Sequence, residues 1–265
     1  MSGSAWSDLA PRVISAAAMS LIGFAAIWLG GAVFGAMVAA LVGLVLWEMT
    51  RMLMAHIAGE EPDFNAGPAL PVAIGVSGAV VVFLVGYLGA LALVLVQASL
   101  VLAGMISLPR DRVRFALYAA WVIMAGTGLI VLRHQAGLLA TFWLVAIVIA
   151  TDVAGYFAGR IIGGPKFWPR ISPKKTWAGT IAGWIAAAII GAAFATGTAS
   201  PWFVGAISAL LAFASQMGDA AESALKRYTG IKDSSNLIPG HGGVFDRFDA
   251  LLGAALVMTV IGIVA

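Results

Sequence analysis

The sequence predicts an all-α, polytopic integral membrane protein with its polar chemistry in loops at one face. Three observations carry that reading. The 265-residue chain is 62% hydrophobic and only 10% charged. Apolar runs long enough to cross about 30 Å of hydrocarbon recur along its whole length. Its cations also fall almost entirely on one side once those runs are threaded back and forth. A transmembrane β-barrel would instead alternate apolar and polar residues in strands of about ten, and this chain does not. No polar stretch is long enough for an appended soluble domain, and the apolar run after Arg12 is too long for a cleavable signal.

About nine spans are expected, in order. The first runs from Val13 to Leu29 and turns at Gly30-Gly31; the second runs from Ala32 to Trp47. A polar loop from Arg51 to Gly67 carries Glu60, Glu61 and Asp63. Spans three and four cover Ala69–Gly86 and Gly89–Ile106, followed by a turn with Pro109, Arg110, Arg112 and Arg114. Span five is Phe115–Leu132, ended by Arg133-His134, and span six is Leu138–Ala158. The Gly159–Trp177 loop leads to span seven, Ala178–Thr196. Span eight is Trp202–Leu225, and span nine runs from Ala250 to Ala265. With a cytoplasmic N-terminus, every one of the 15 lysines and arginines except Arg133 lies on the cytoplasmic side. The chain divides into N-terminal spans (1–114) and a C-terminal region (115–265) that holds the polar signature 223–249.

Cysteine is absent, which excludes disulfides, thiolate metal sites and a cysteine nucleophile. The net charge of +3 suits anionic partners without choosing among them. No internal repeat stands out, which weighs against an inverted-repeat transporter.

Charge is concentrated in Ser223–Asp249, between two apolar spans. Charges held so close to hydrocarbon need partners or a task. Asp219 and Glu222, three apart, project from one helix face, and Asp246 and Asp249 repeat the spacing. Neighbouring carboxylates repel unless a cation or proton intervenes. Oxygen ligands without cysteine favour Mg²⁺ over zinc. The alternative pairs these acids with Lys226, Arg227 and Arg247 as salt bridges. Asp152, late in span six, is a further candidate; its alternative is a snorkelling carboxylate or a partner for Arg160. Gly155 and Gly159 share a face and suit close helix packing. Ser172-Pro-Lys174-Lys175-Thr176 opens a helix and suits phosphate, since N–H groups, helix dipole and cations point at one anion; ordinary topological charge is the alternative. Pro239-Gly-His241-Gly242-Gly243 is a turn that lets backbone approach a ligand, with His241 placed to hydrogen-bond a phosphate. His56 and His134 fall in loops on opposite faces and receive no role.

The order Ser-x-x-Lys-Arg-x4-Lys-Asp, then x5-Pro-x-His-Gly-Gly-x2-Asp-Arg-x-Asp, resembles the signature of the phosphatidate cytidylyltransferases, the CDP-diacylglycerol synthases. A second block, Asp152-x2-Gly-Tyr156-x2-Gly-Arg160 with Ser172–Thr176, is similar too, as are Gly218-Asp219 and Glu222-Ser223. The likeness has motif-level detail over about 150–250 only. It departs from the family at Ala178, where glutamate is common, and more mildly at Ser235, where glycine is frequent.

The resemblance implies an integral membrane enzyme of phospholipid synthesis that makes CDP-diacylglycerol and pyrophosphate from CTP and phosphatidic acid. It implies Mg²⁺, with a second metal or a monovalent cation left open, and a homodimer in the inner membrane, with no nucleic-acid partner. Asp219 and Asp246 match the family's metal positions most closely, with Asp152, Glu222 and Asp249 as further candidate ligands. Lys226, Arg227 and His241 join Asp219 and Asp246 as catalytic candidates. Substrate-binding candidates are Lys174, Lys175, Ser172, Thr176, Tyr156 and Arg160, with Lys232, Asp233, Gly242, Gly243 and Arg247 from the signature. An enzyme acting on another lipid phosphate or polyprenol, and an ion-coupled transporter using Asp152, Asp219 and Glu222, are the other readings.

Overall fold

The structure is a computed structural model that describes residues 3–60, 69–197 and 199–264. Glu61 and Asp63, expected in a polar loop, lie outside the described residues. Nine α-helices follow one another in the described residues: α1 (Gly3–Leu29), α2 (Gly31–Ala58), α3 (Ala69–Phe83), α4 (Ala90–Ser107), α5 (Arg112–Gln135), α6 (Gly137–Ile161), α7 (Trp177–Ala193), α8 (Pro201–Thr229) and α9 (Phe245–Val264). Among the described residues seven of them, all but α7 and α9, are long and apolar enough to cross a membrane, α3 being counted to Gly86. The shorter α7 is apolar but has 17 residues, and α9 opens with Asp246, Arg247 and Asp249. The chain is an all-α polytopic membrane protein.

Three expectations are corrected. The Gly159–Trp177 stretch is not plain loop: β1 (Lys166–Trp168) and β2 (Ser172–Thr176) pair antiparallel, with Lys166 opposite Thr176 and Trp168 opposite Ser172. Backbone groups near a membrane must pair, and a hairpin does this where the chain reverses. Next, α2 does not end at Trp47. It continues to Ala58 and stops at Gly59, whose left-handed φ of 73° places its N–H on Ala55 and His56 carbonyls. Glu48 and Arg51 fail to end it because both are buried inside the protein. Consequently His56 lies in α2, not a loop, with its ring 4.6 Å from that of Tyr228, and His134 lies in the last turn of α5.

The core is shared by both halves of the chain: Leu46, Met49 and Leu53 of α2 lie in one cluster with Phe115 and Ile123 of α5, Ile147 of α6 and Phe245 of α9. Lipid is as apolar as leucine, so close helix contacts here depend on small residues. At the α2–α3 crossing, a Cβ on Gly43 or Gly75 would lie 2.7 Å from the other's carbonyl oxygen. By contrast α4 buries only Gly104 and presents Leu91, Leu95, Leu102 and Ile106 outward, as a lipid-facing helix does. Arg133 closes the far end of α1, donating from Nε to the Ile27 carbonyl at 2.8 Å and from a terminal nitrogen to Trp28 at 3.3 Å.

Candidate functional site

Two glycine crossings position the polar residues. Between α6 and α7, a Cβ on Gly179 would meet the Gly155 carbonyl at 2.5 Å, and one on Gly159 would meet Thr176 Oγ1 at 3.0 Å. Gly155 and Gly159 therefore do pack helices, as their spacing suggests. Thr176 leaves β2 and caps α7, its Oγ1 accepting from the Gly179 N–H at 3.2 Å. Between α8 and α9, a Cβ on Gly218 would lie 2.3 Å from the Asp249 carbonyl, and one on Gly253 would lie 2.4 Å from that of Ala214. That crossing sets the acids of α8 against those of α9.

Along the first crossing lies a cleft of about 480 Å³. Asp152, Tyr156 and Arg160 line it from α6, and Lys174, Lys175 and Thr176 from β2. Thr180 and Gln216 form part of its wall; Gln216 is fixed there by Trp184 Nε1, which donates to its Oε1 at 2.9 Å. Asp152 does not pair with Arg160, whose guanidinium instead donates to the Tyr156 hydroxyl at 2.6 Å. Lys175 reaches across to form an ion pair with Asp219, which also accepts from Ser223 Oγ at 3.2 Å. Lys174 is exposed at the cleft, and Ser172 is half-buried.

The second crossing holds an acidic group. Carboxylate oxygens of Asp219, Glu222 and Asp249 all lie within 4.8 Å of one another. Glu222 is 1% exposed, and neither of its oxygens has a hydrogen-bond partner among the described residues. Its Oε2 stands 2.7 Å from Lys226 Nζ, an ion pair without hydrogen-bond alignment. A buried carboxylate is costly unless cations and donors satisfy both oxygens, and Glu222 has only the Lys226 ion pair among the described residues. Three hard oxygen donors this close together suit a small divalent ion.

Asp246 borders this group without being one of the three, since Lys226 Nζ lies between it and Glu222. Its Oδ1 accepts from Lys226 Nζ at 2.6 Å, and its Oδ2 accepts from the N–H groups of Ser234 and Gly243, both at 2.8 Å, and from Ser234 Oγ at 2.9 Å. Burial alone would raise this carboxyl; Glu222, Lys226 and the Gly243 N–H outweigh burial and hold it below the usual carboxylate range. The salt-bridge alternative therefore describes Lys226, and no ion pair joins Arg227 or Arg247 to these acids among the described residues. Arg247 donates instead to the His241 carbonyl at 2.7 and 2.9 Å. His241 meets Ser15 of α1, Nδ1 to Oγ 2.8 Å, which engages one of its two ring nitrogens. Gly242 has φ +84°, and a Cβ on it would lie 2.8 Å from Asp246 Oδ2, so only glycine fits there. Arg227, Lys232 and Asp233 are exposed beside this loop.

Sequence reasoning missed Glu48. It falls between the expected end of span two and the following loop, yet it is fully buried and accepts four hydrogen bonds from the signature loop. A charged residue inside Leu44–Leu53 was the available signal.

A bundle of membrane helices that sets a cleft lined by Lys174, Lys175 and Arg160 beside clustered acids defines a polytopic membrane protein with a polar site between its helices. The cytidylyltransferase family model matches residues 10–264, so the chain belongs to the cytidylyltransferase family. It is similar to the phosphatidate cytidylyltransferase of Brucella suis, 48% identical over 128 residues, which cover 48% of this chain and 47% of that protein. The corresponding Helicobacter pylori protein is 43% identical over 122 residues, 45% of this chain and 46% of its own. That of Bacillus subtilis is 40% identical over 121 residues, 44% and 45%. The chain spans about half the length of the curated relatives it matches.

Proposed function

We propose that this protein is a phosphatidate cytidylyltransferase, transferring CMP from CTP to phosphatidic acid to give CDP-diacylglycerol and pyrophosphate. The observation that carries it is the convergence of Asp219, Glu222 and Asp249 within 4.8 Å, beside a cleft lined by Lys174, Lys175 and Arg160. Family membership and the phosphatidate cytidylyltransferase names of the relatives support the substrates.

In this reading a phosphate oxygen of the lipid bonds to the α-phosphorus of CTP, and the bond from that phosphorus to the oxygen bridging the β-phosphate breaks. The lipid phosphate is already an anion, so little help from a general base is needed. The remaining work is to bring two anions together and to neutralise charge on the departing pyrophosphate. Bound Mg²⁺ supplies much of that neutralisation. Asp219, Glu222 and Asp249 would hold the ion. Lys174 and Lys175 would bind triphosphate at the cleft, and Arg160 and Tyr156 would steer a phosphate at its mouth. Lys226 balances Glu222 against Asp246, and Asp246 holds the glycine loop. The acyl chains stay in the bilayer while the headgroup reaches the cleft from the cytoplasmic face of the inner membrane. A homodimer is part of the same reading.

The test is incubation of the purified protein with labelled CTP, phosphatidate and Mg²⁺. Release of pyrophosphate with formation of a CDP-lipid is expected. Transfer to a polyprenyl phosphate but not to phosphatidate would replace the lipid substrate, and ion flux in proteoliposomes without any CDP-lipid would replace the reaction.

A further inference from the structure

Glu48 lies on α2, far in sequence from every residue assigned to the reaction. It is 0% exposed. Its Oε1 accepts from Ser235 Oγ at 2.5 Å and from the Val244 N–H at 2.9 Å; its Oε2 accepts from the Phe245 N–H at 2.7 Å and from Ser234 Oγ at 3.2 Å. The Val244 and Phe245 N–H groups open α9, and a helix leaves its first N–H groups without partners. A residue next to the helix usually satisfies them. Here the acceptor stands 196 and 197 residues away. The fit leaves no room for adjustment, because a Cβ on Gly243 would lie 2.5 Å from Glu48 Oε1 and 2.0 Å from Ser234 Oγ.

The two carboxylates grip the loop from opposite sides. Asp246 takes the N–H groups of Ser234 and Gly243, and Glu48 takes those of Val244 and Phe245. Ser234 Oγ lies within reach of both, and its single hydrogen can serve one at a time. A buried carboxylate is tolerated only when its lone pairs are well satisfied, and four donors meet that need. A purely apolar α2 would be cheaper to bury, yet it would leave the start of α9 unanchored.

We propose that Glu48 is a positioning residue: from α2 it fixes the rotation of the first turn of α9, and thereby where Asp249 meets Asp219 and Glu222. Asp249 stands four residues past Phe245, about 400° of helix rotation or just over one turn, so a twist of the first turn carries Asp249 with it. The metal-binding part rests on the reading of those acids given above. Working sites need their groups held within about 0.5 Å, and Glu48 supplies that constraint from outside the signature.

The experiment uses full-length protein in detergent, with Glu48→Gln, Glu48→Asp and Ser235→Ala variants, all assayed well below their unfolding temperatures. Two readouts are taken: steady-state kinetics, and Mn²⁺ binding followed by the electron paramagnetic resonance of the free ion. Glu48→Gln is expected to weaken Mn²⁺ binding and lower kcat by about tenfold or more, with KM for CTP within about twofold of wild type. Ser235→Ala should move both in the same direction by less, and Glu48→Asp should restore part of the loss. A Glu48→Gln protein with a lowered unfolding temperature but wild-type kcat and Mn²⁺ affinity would overturn the proposal, leaving Glu48 a stabilising residue alone. Should Glu48→Gln fail to fold, Ser235→Ala decides, and unchanged values there overturn it. If the wild type makes no CDP-lipid, the proposed reaction falls while the Mn²⁺ measurement still decides the role of Glu48.

Discussion

The cleft between α6 and α7 and the acidic layer between α8 and α9 hold their charges by opposite means. In the cleft, Lys174 and Arg160 are exposed, and the only protein partner of the Arg160 guanidinium through a hydrogen bond is a neutral hydroxyl, that of Tyr156, among the described residues. In the acidic layer, Glu222, Asp249, Ser234 and Ser235 are buried, and Asp246 and Glu48 each hold a full set of donors. The first region keeps its cations available for something that arrives. The second spends its polar groups on fixing one another, except that Glu222 has the Lys226 ion pair and no aligned hydrogen bond among the described residues. Lys175 joins them, reaching from β2 to Asp219. A reaction between two mobile anions requires both: one surface that receives, and one that does not move.

The comparison breaks first at the acids. Asp219→Asn or Asp249→Asn is expected to cut CMP transfer by about a thousandfold, with the protein still eluting as a folded species from detergent; activity near wild type in either would remove that residue from the ion site. On the receiving side, Lys174→Ala should raise KM for CTP by about tenfold, the cost of roughly 1.4 kcal/mol of lost phosphate contact, while KM for phosphatidate stays put. Equal changes for both substrates would mean that the cleft does not distinguish them. Gly179→Ala places a methyl 2.5 Å from the Gly155 carbonyl and should cost about 1–3 kcal/mol of stability, read as a lowered unfolding temperature. Thr176→Ala removes only the cap of α7 and should cost about 1 kcal/mol; a melt indistinguishable from wild type would show that β2 alone holds the start of that helix.

Much of this was legible in the residues. Long apolar runs announce helices because only helices and closed barrels satisfy backbone groups in lipid, and the order of the helices follows those runs. Asp219 and Glu222 declare a shared face by their spacing, and α8 presents them together. What sequence could not supply is partnership across the chain. Asp246 and Asp249 have the same spacing, yet one takes Lys226 and loop N–H groups while the other faces Asp219 and Glu222. Periodicity places residues on faces, and it does not say what stands opposite. Glu48 was hidden for the same reason: four donors from the other end of the chain let a carboxylate sit inside an apolar helix. The β1–β2 hairpin is too short for alternation to reveal it.

The gap between the two acid-bearing helices is set by what Gly218 and Gly253 lack. Their backbones touch so closely that a methyl on Gly253 would come within 2.8 Å of the Gly218 Cα. Two hydrogen atoms therefore act as the spacer that decides whether three carboxylates can share one small cation. Any larger side chain at either position would widen that spacing, and the change would favour a bigger ion or none.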